Sequence, residues 1–217
     1  MREPPTEGAS KDTWRRWLRD RQTHVDAGIT AAIVASLCRF IESVDVTWRE
    51  RDDLTDRDDR DDRGAMPDGN GLILFYRAMP HELSLDGLAE ALGWQRFAAT
   101  RTPPDGPLTL HPAIGAMEQH RFGFPQPVAG AFELQPRHIS LALIPGVAFD
   151  RRGTRLGHGA GYFDELLSRL PSHCLRIGVT PGSLVFDRLP AEPHDVPMTH
   201  LATEDGVAAV GAGAGSA

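Results

Sequence analysis

The chain has 217 residues, enough for one α/β domain with a real core. Its 41% apolar and 24% charged residues are those of an ordinary globular protein, and a net charge of −7 argues against nucleic acid as the main partner. An acidic chain can still bind an acidic ligand through a local basic patch, and the basic set is lopsided: of 23 Lys and Arg residues only Lys11 is a lysine.

No uninterrupted apolar run reaches the roughly 18 residues of a membrane span. The opening MREPPTEGASK is polar and lacks an apolar signal core. A cytoplasmic chain with no membrane contact is expected. Residues 1–9, with Pro4-Pro5 and Gly8, read as disordered. Ser10 is a suitable N-cap for a helix to about Arg21, with Trp14, Trp17 and Leu18 as its packing side. Lys11 and Arg15 are four apart and share a face of that helix.

A second helix spans Asp26–Ser43, where Ile29, Ile33, Leu37, Phe40 and Ile41 recur at helical spacing. RERDDLTDRDDRDDR at 49–63 is a mixed-charge, low-complexity run, and 49–69 reads as a disordered insertion. GLILFYR at 71–77 is a buried strand. A short helix, Ser84–Leu92, follows with Ser84 as cap and Gly93 as stop. Arg96–Arg101 is another strand, and Pro-rich 102–112 a loop. Ile139–Ile144 is an apolar run of strand length ended by Pro145-Gly146. Tyr162–Leu170 is a helix with Phe163, Leu166, Leu167 and Leu170 on one face. Leu175–Thr180 is a strand, and Gly206–Ala217 a loose Gly/Ala-rich tail. Cys38 and Cys174 sit in apolar contexts as two separate reduced thiols. Alternating strands and helices define a single three-layer α/β domain at 10–204, with a mixed, largely parallel sheet.

The most informative stretch lies between the strand at 139–144 and the helix at 162–170. Gly157, Gly159 and Gly161 occupy every second position just before that helix. Glycines let backbone N–H groups turn toward an anion, and the helix start adds its positive dipole end. The spacing matches neither G-x-G-x-x-G nor G-x-x-x-x-G-K-[ST].

The longer string PGVAFDRRGTRLGHGAGYFD resembles the signature of the 5-formyltetrahydrofolate cyclo-ligase family, PG-x-x-F-D-x-x-G-x-R-L-G-[RK]-G-[GK]-G-Y-Y-D. Pro145, Gly146, Phe149, Asp150, Gly153, Arg155, Leu156, Gly157, Gly159, Gly161, Tyr162 and Asp164 fit it. His158, Ala160 and Phe163 depart from it. LPAEPHD at 189–195 is similar to the family's L-P-x-[EH]-x-H-D, with Thr199 in place of a later Asp. Glu82 keeps the Glu of a family E-[VI]-x-T motif, and MEQHRFGFPQP at 117–127 is similar to the segment ending G-[IF]-x-[EQ]-P. Arg101 is retained from a P-R-[YV] strand end, but Thr102 replaces the aromatic.

The resemblance implies a Rossmann-like arrangement and ATP-dependent cyclisation of 5-formyltetrahydrofolate to 5,10-methenyltetrahydrofolate, with Mg²⁺, releasing ADP and phosphate. It implies Lys11 and Arg155 as catalytic groups. It places ATP on Lys11, Arg15, Arg155, Gly157, His158, Gly159, Ala160, Gly161 and Tyr162. It assigns the reduced folate to Arg77, Glu82, Phe122 and Tyr162, with Glu82 on the pterin, and the metal to Asp164 and Asp195. The partners expected are these small molecules, and the chain is expected to be a monomer. Three other readings stay open: a non-catalytic nucleotide- or folate-binding member of the family, a Rossmann oxidoreductase, which the glycine spacing disfavours, and an Arg-rich RNA-binding protein, which the acidic balance disfavours.

Overall fold

The computed structural model describes residues 3–6, 8–19, 26–48, 71–80 and 82–211. The charged insertion expected at 49–69 lies outside the described residues.

The central sheet follows directly from the apolar runs. β1 (Leu72–Phe75), β2 (Phe97–Arg101), β6 (Ile139–Pro145), β9 (Leu175–Val179) and β11 (His200–Thr203) are mutually parallel. β3 (Thr109–Pro112) and β12 (Gly206–Ala209) close the two edges antiparallel. The spatial order is β12-β11-β9-β6-β1-β2-β3. Two-residue alternation sorts the side chains of each strand onto opposite faces. Ile73, Phe75, Phe97, Ala99, Leu141 and Leu143 meet α2 (Ala27–Trp48) and α3 (Asp86–Leu92) on one face. Leu72, Leu74, Ala98, Ala142 and Ile144 meet α4 (Tyr162–Arg169) on the other. This is the expected three-layer, mostly parallel architecture.

α2 carries an 18-residue window, Ala27–Val44, that is apolar and long enough by composition to cross a bilayer. Its Ile33, Leu37 and Ile41 are buried in the core against α3 and the sheet. α1 (Lys11–Arg19) packs elsewhere. Its Trp14 and Leu18 are buried against a small second sheet, β10-β7-β8, made of Val185–Phe186, Ala148–Asp150 and Arg155–Leu156. Trp14 meets Phe186 edge-on at 5.0 Å. Ser10 accepts a hydrogen bond from the Thr13 N–H, as a cap should. Ala9 packs on the same cluster, and its N–H donates to the Thr6 carbonyl.

Three expectations are corrected. The helix expected from Ser84 begins at Asp86, with Leu85 as cap and no side-chain cap bond. Tyr76 Oη donates to the Leu83 carbonyl at 2.7 Å, and Leu83 and Leu85 are buried, so 83–85 is held out of the helix. Pro-rich 102–112 is not all loop. Leu108 and Leu110 are buried, and β3 pairs with β2 from Arg101↔Thr109 to Ala98↔Pro112. An edge strand tolerates the missing N–H of Pro112. Part of the supposed C-terminal tail is ordered as β12, which pairs with β11 through a turn at Glu204-Asp205. The cysteines are both free: Cys38 is half-buried, and burial pushes the Cys174 thiol up to about 12.

The turn between β7 and β8 is fastened from inside. Phe149 is fully buried beneath Gly178, where an added Cβ would stand 2.5 Å from its ring. Asp150 is also fully buried. Its Oδ1 accepts the N–H groups of Arg152 and Thr154 at 2.9 and 2.8 Å, and its Oδ2 accepts that of Leu189 at 2.9 Å. Three N–H donors satisfy one buried carboxylate, and losing it leaves all three without an acceptor. Asp150→Ala is therefore expected to lower stability by about 3 kcal/mol and Asp150→Asn by about half as much, since an amide keeps one acceptor oxygen. Urea midpoints at unchanged slope measure this.

Candidate active site

The strand order places the site. β1 runs first, β2 follows on one side of it, and β6 joins on the other, so the chain changes direction between β1 and β6. In open α/β sheets ligands bind in the crevice at the carboxyl ends of the strands at such a switch. A cavity of about 380 Å³ lies there. Tyr76, Arg77 and Met79 line it from the end of β1, Thr100 and Thr102 from β2, and Pro145 from β6.

The glycine stretch supplies one wall. Gly157 to Asp164 all line the cavity. Gly159 has φ 103° and Gly161 φ 74°, both in the region that favours glycine. Gly161 caps α4 with no side-chain hydrogen bond. Among the described residues no acceptor takes the N–H of His158, Gly159, Ala160 or Gly161. Four consecutive open donors ahead of a helix make an anion seat.

Basic side chains from two distant segments flank that seat. Arg15 Nε donates to the Gly157 carbonyl at 2.8 Å, and its Nη1 meets Asp12 at 2.7 Å. Arg155 is nearly buried; its Nη2 holds Asp164 Oδ1 at 2.6 Å and its guanidinium lies 5.7 Å from the Phe163 ring centroid. Lys11 Nζ donates to both oxygens of Asp195, at 2.6 and 2.8 Å, and to Glu192 at 2.8 Å. Burial lowers the Lys11 pKa, but hydrogen bonds and charge from Asp195 and Glu192 outweigh it and hold the ammonium above its usual range.

The other wall mixes rings and polar groups. Glu82 Oε2 accepts the Met79 N–H at 3.0 Å, and Oε1 lies 3.5 Å from His158 Nε2. A hairpin of β4 (Met117–Gln119) and β5 (Pro125–Pro127) carries His120, Phe122 and Phe124 at its tip. The His120 and Phe124 rings stack at 4.5 Å, while Phe122 stays exposed in the cavity wall. The hairpin is anchored to β2: Arg101 pairs with Glu118 and donates to the Pro127 carbonyl, and the Thr102 N–H donates to Gln126.

Most of the residues singled out from the sequence thus meet around one cavity: Lys11, Arg15, Arg77, Glu82, Phe122, Arg155, Gly157, His158, Gly159, Ala160, Gly161, Tyr162 and Asp164. Two residues singled out from the sequence, Arg77 and Asp195, are engaged with other groups of the chain. Arg77 Nη1 pairs with Asp86 at 3.2 Å and its guanidinium lies over the Trp94 and Phe75 rings, so its charge is spent on α3. Asp195 is absent from the lining, because Lys11 stands between it and the cavity. It clusters instead with Glu192 and His194, their ligand atoms within 4.8 Å of one another. Tyr76, Thr100, His120, Arg121 and Phe124 are lining residues not singled out as site residues. The alternation of His120, Phe122 and Phe124 was a signal for a hairpin arm presenting rings together; the strand-end threonines had none.

Two departures from the family's patterns have visible structural roles. Phe163 packs beneath Arg155. Thr199 Oγ1 accepts from the Arg176 N–H and donates to its carbonyl, both at 3.0 Å, tying β9 to the chain before β11.

An open, largely parallel sheet with helices on both faces and a glycine-lined crevice at its switch point is a doubly wound α/β architecture. The model of the 5-formyltetrahydrofolate cyclo-ligase family matches residues 96–204, and the chain belongs to that family. A 5-formyltetrahydrofolate cyclo-ligase of Mycolicibacterium smegmatis is 46% identical over 61 residues, covering 28% of this chain and 31% of the relative. One from Haemophilus influenzae is 27% identical over 135 residues, covering 58% of this chain and 72% of the relative. The solved 5,10-methenyltetrahydrofolate synthetase of Aquifex aeolicus superposes with a TM-score of 0.68 at 22% identity, covering 95% of this chain and 96% of that one, and so shares the fold.

The anion seat makes a direct prediction. Gly159→Ala forces a side chain into a left-handed conformation, and its Cβ would stand 3.4 Å from the Arg15 guanidinium. A loop that relaxes in the free protein to escape this strain must recover roughly 1–2 kcal/mol to rebuild the seat, so binding of inorganic tripolyphosphate should weaken about tenfold, and the thermal midpoint should fall by only a few degrees. Calorimetric titration reads the first quantity and thermal unfolding the second.

Proposed function

We propose that the chain catalyses the ATP- and Mg²⁺-dependent cyclisation of 5-formyltetrahydrofolate to 5,10-methenyltetrahydrofolate, releasing ADP and phosphate. The observation that carries this reading is that one cavity joins an anion seat with open N–H donors to a wall of rings and a carboxylate. That combination suits a polyphosphate meeting a flat heterocycle.

The chemistry explains why no protein nucleophile is needed. A formamide oxygen is a poor leaving group. It attacks the γ-phosphorus of ATP and ADP departs. N10 of the same folate then attacks the activated formyl carbon, the oxygen leaves as phosphate, and the N10 proton is lost. The protein must align the two substrates and offset charge on the transferring phosphoryl group. The N–H groups of 158–161 hold the phosphates, with Arg15 and Arg155 on their oxygens. Lys11 exchanges Asp195 and Glu192 for the phosphoryl group as the phosphates arrive. Glu82, steadied by the Met79 N–H, accepts hydrogen bonds from the pterin through Oε1. Phe122 covers the folate rings.

A magnesium ion suits Asp164, whose Oδ2 is left over once Arg155 takes Oδ1, since Mg²⁺ commonly needs only one or two carboxylates beside the phosphates and water. Asp195, whose oxygens are held by Lys11 in this structure, would be the second oxygen ligand. When bound, the ion neutralises charge on the phosphate oxygens.

The deciding experiment follows methenyl absorbance in the near ultraviolet with purified chain, 5-formyltetrahydrofolate and MgATP, omitting ATP as control. Absence of ATP-dependent product while both ligands bind would favour a non-catalytic family member. Lys11 provides the sharper variant. A compact ammonium can follow a moving phosphoryl group, whereas a guanidinium is broad, planar and fixed in a fork. Lys11→Arg should therefore lower kcat more than it raises the KM for ATP, and Lys11→Ala should harm both, at a cost on the order of one to a few kcal/mol of transition-state stabilisation. Steady-state kinetics with varied ATP measures it; unchanged kcat and KM in the Arg variant would make Lys11 an ordinary helix residue.

A further inference from the structure

The cations around the cavity differ in one respect. Lys11, Arg15, Arg77 and Arg155 each hold a carboxylate partner: Asp195 and Glu192, Asp12, Asp86, and Asp164 respectively. Arg121 also lines the cavity, yet among the described residues no carboxylate lies within ion-pair distance of it. Its guanidinium lies 4.8 Å from the Phe122 ring centroid, a contact that orients the group without neutralising it.

The placement of Arg121 is as informative as its lack of a partner. It sits at the exposed tip of the β4–β5 hairpin, on the rim, while the anion seat lies at the start of α4. The hairpin is braced on β2 by the Arg101–Glu118 pair and by Gln126, so the tip is carried on a fixed base. Its electrostatics are positive: burial first, then charge from Arg121 and Arg101, holds His120 below its usual range. The nearby acid, Glu118, is already taken by Arg101 and Gln126.

A reduced folate has two chemically different ends. Its pterin is flat and carries the reacting formyl group; its glutamyl tail is flexible and carries carboxylates. A formyl group held at the anion seat would lead the aminobenzoyl ring past Phe122 and the tail toward the rim where Arg121 stands, since all three line one cavity. Resting on the function proposed above, we propose that Arg121 is a specificity-determining residue that pairs with a carboxylate of the substrate's glutamyl tail. A guanidinium fork suits a carboxylate bidentately, and Phe122 would hold the fork in plane beside the ring it also covers.

The test compares 5-formyltetrahydrofolate with 5-formyltetrahydropteroate, which lacks the glutamate, on the wild type, Arg121→Met and Arg121→Lys. Met keeps an apolar stem and removes the charge. Calorimetric binding and steady-state kinetics are both read. Arg121→Met should bind 5-formyltetrahydrofolate about tenfold more weakly, as expected for one charge-assisted pair at a half-open site, with KM raised alike and kcat unchanged. The pteroate should bind wild type and Arg121→Met equally, Arg121→Lys should recover part of the loss, and added salt should shrink the difference. Equal binding of the folate by wild type and Arg121→Met overturns the assignment, as does an equal loss for both ligands, which would mean a packing role. If the wild-type chain binds the folate without converting it, the activity fails while the binding comparison still judges Arg121. If it binds no reduced folate, both readings fall.

Discussion

The site depends on one buried carboxylate. Asp150 closes the turn after β7 through the N–H groups of Arg152 and Thr154 and, through Leu189, draws in the segment that leads to Glu192 and Asp195. The same turn sets β8, and β8 carries Arg155 to the cavity wall. α1 packs on that small sheet with Trp14 and Leu18, which puts Lys11 within reach of Asp195 and Arg15 against the Gly157 carbonyl. Three chain segments far apart in sequence therefore share one fastening. A carboxylate suits the task because its two oxygens accept several N–H groups at once and leave none of these buried donors unmet.

Charge inside the cavity is arranged in pairs that can be exchanged. Arg155 with Asp164 and Lys11 with Asp195 and Glu192 keep each ion partnered in a part-buried place, where an unpaired charge would be costly. Under the proposed function, a polyphosphate with its cation would offer both members of each pair a new partner of the right sign. Such an exchange would swap partners and leave no charge bare, avoiding a large barrier from desolvation. Backbone donors from 158–161 need no such exchange, since among the described residues no acceptor takes them.

The two walls are built by different means. The glycine wall gets its shape from backbone dihedrals at Gly159 and Gly161, which fix where the donors point whatever the side chains are. This explains how His158 and Ala160 can stand in the loop without altering its path. The ring wall stands on a hairpin held to β2 by Arg101, Glu118 and Gln126, so its position follows from the sheet. His158 spans the gap between the walls, 3.5 Å from Glu82.

Local pattern carried most of the architecture. The apolar runs at 72–75, 139–144 and 175–179 are strands, the 3.6-residue periods are α2 and α4, and the glycines at every second position before α4 mark the anion seat. These are short-range properties, set by side-chain period and backbone freedom within a few residues. The tertiary structure alone decided what depends on distant partners. β3 and β12 exist because β2 and β11 offer unpaired edges, against the local signal of a Pro-rich loop and a Gly/Ala tail. Ser84 loses the helix start because Tyr76 holds the Leu83 carbonyl. Arg77, a ligand by position in sequence, is committed to Asp86 and Trp94, whereas Arg121 lies over the Phe122 ring and meets no carboxylate among the described residues. Lys11 and Asp195 are 184 residues apart. Nothing in the order of residue types fixes which carboxylate an ammonium will meet, because that choice is made by the packing of α1 on the small sheet.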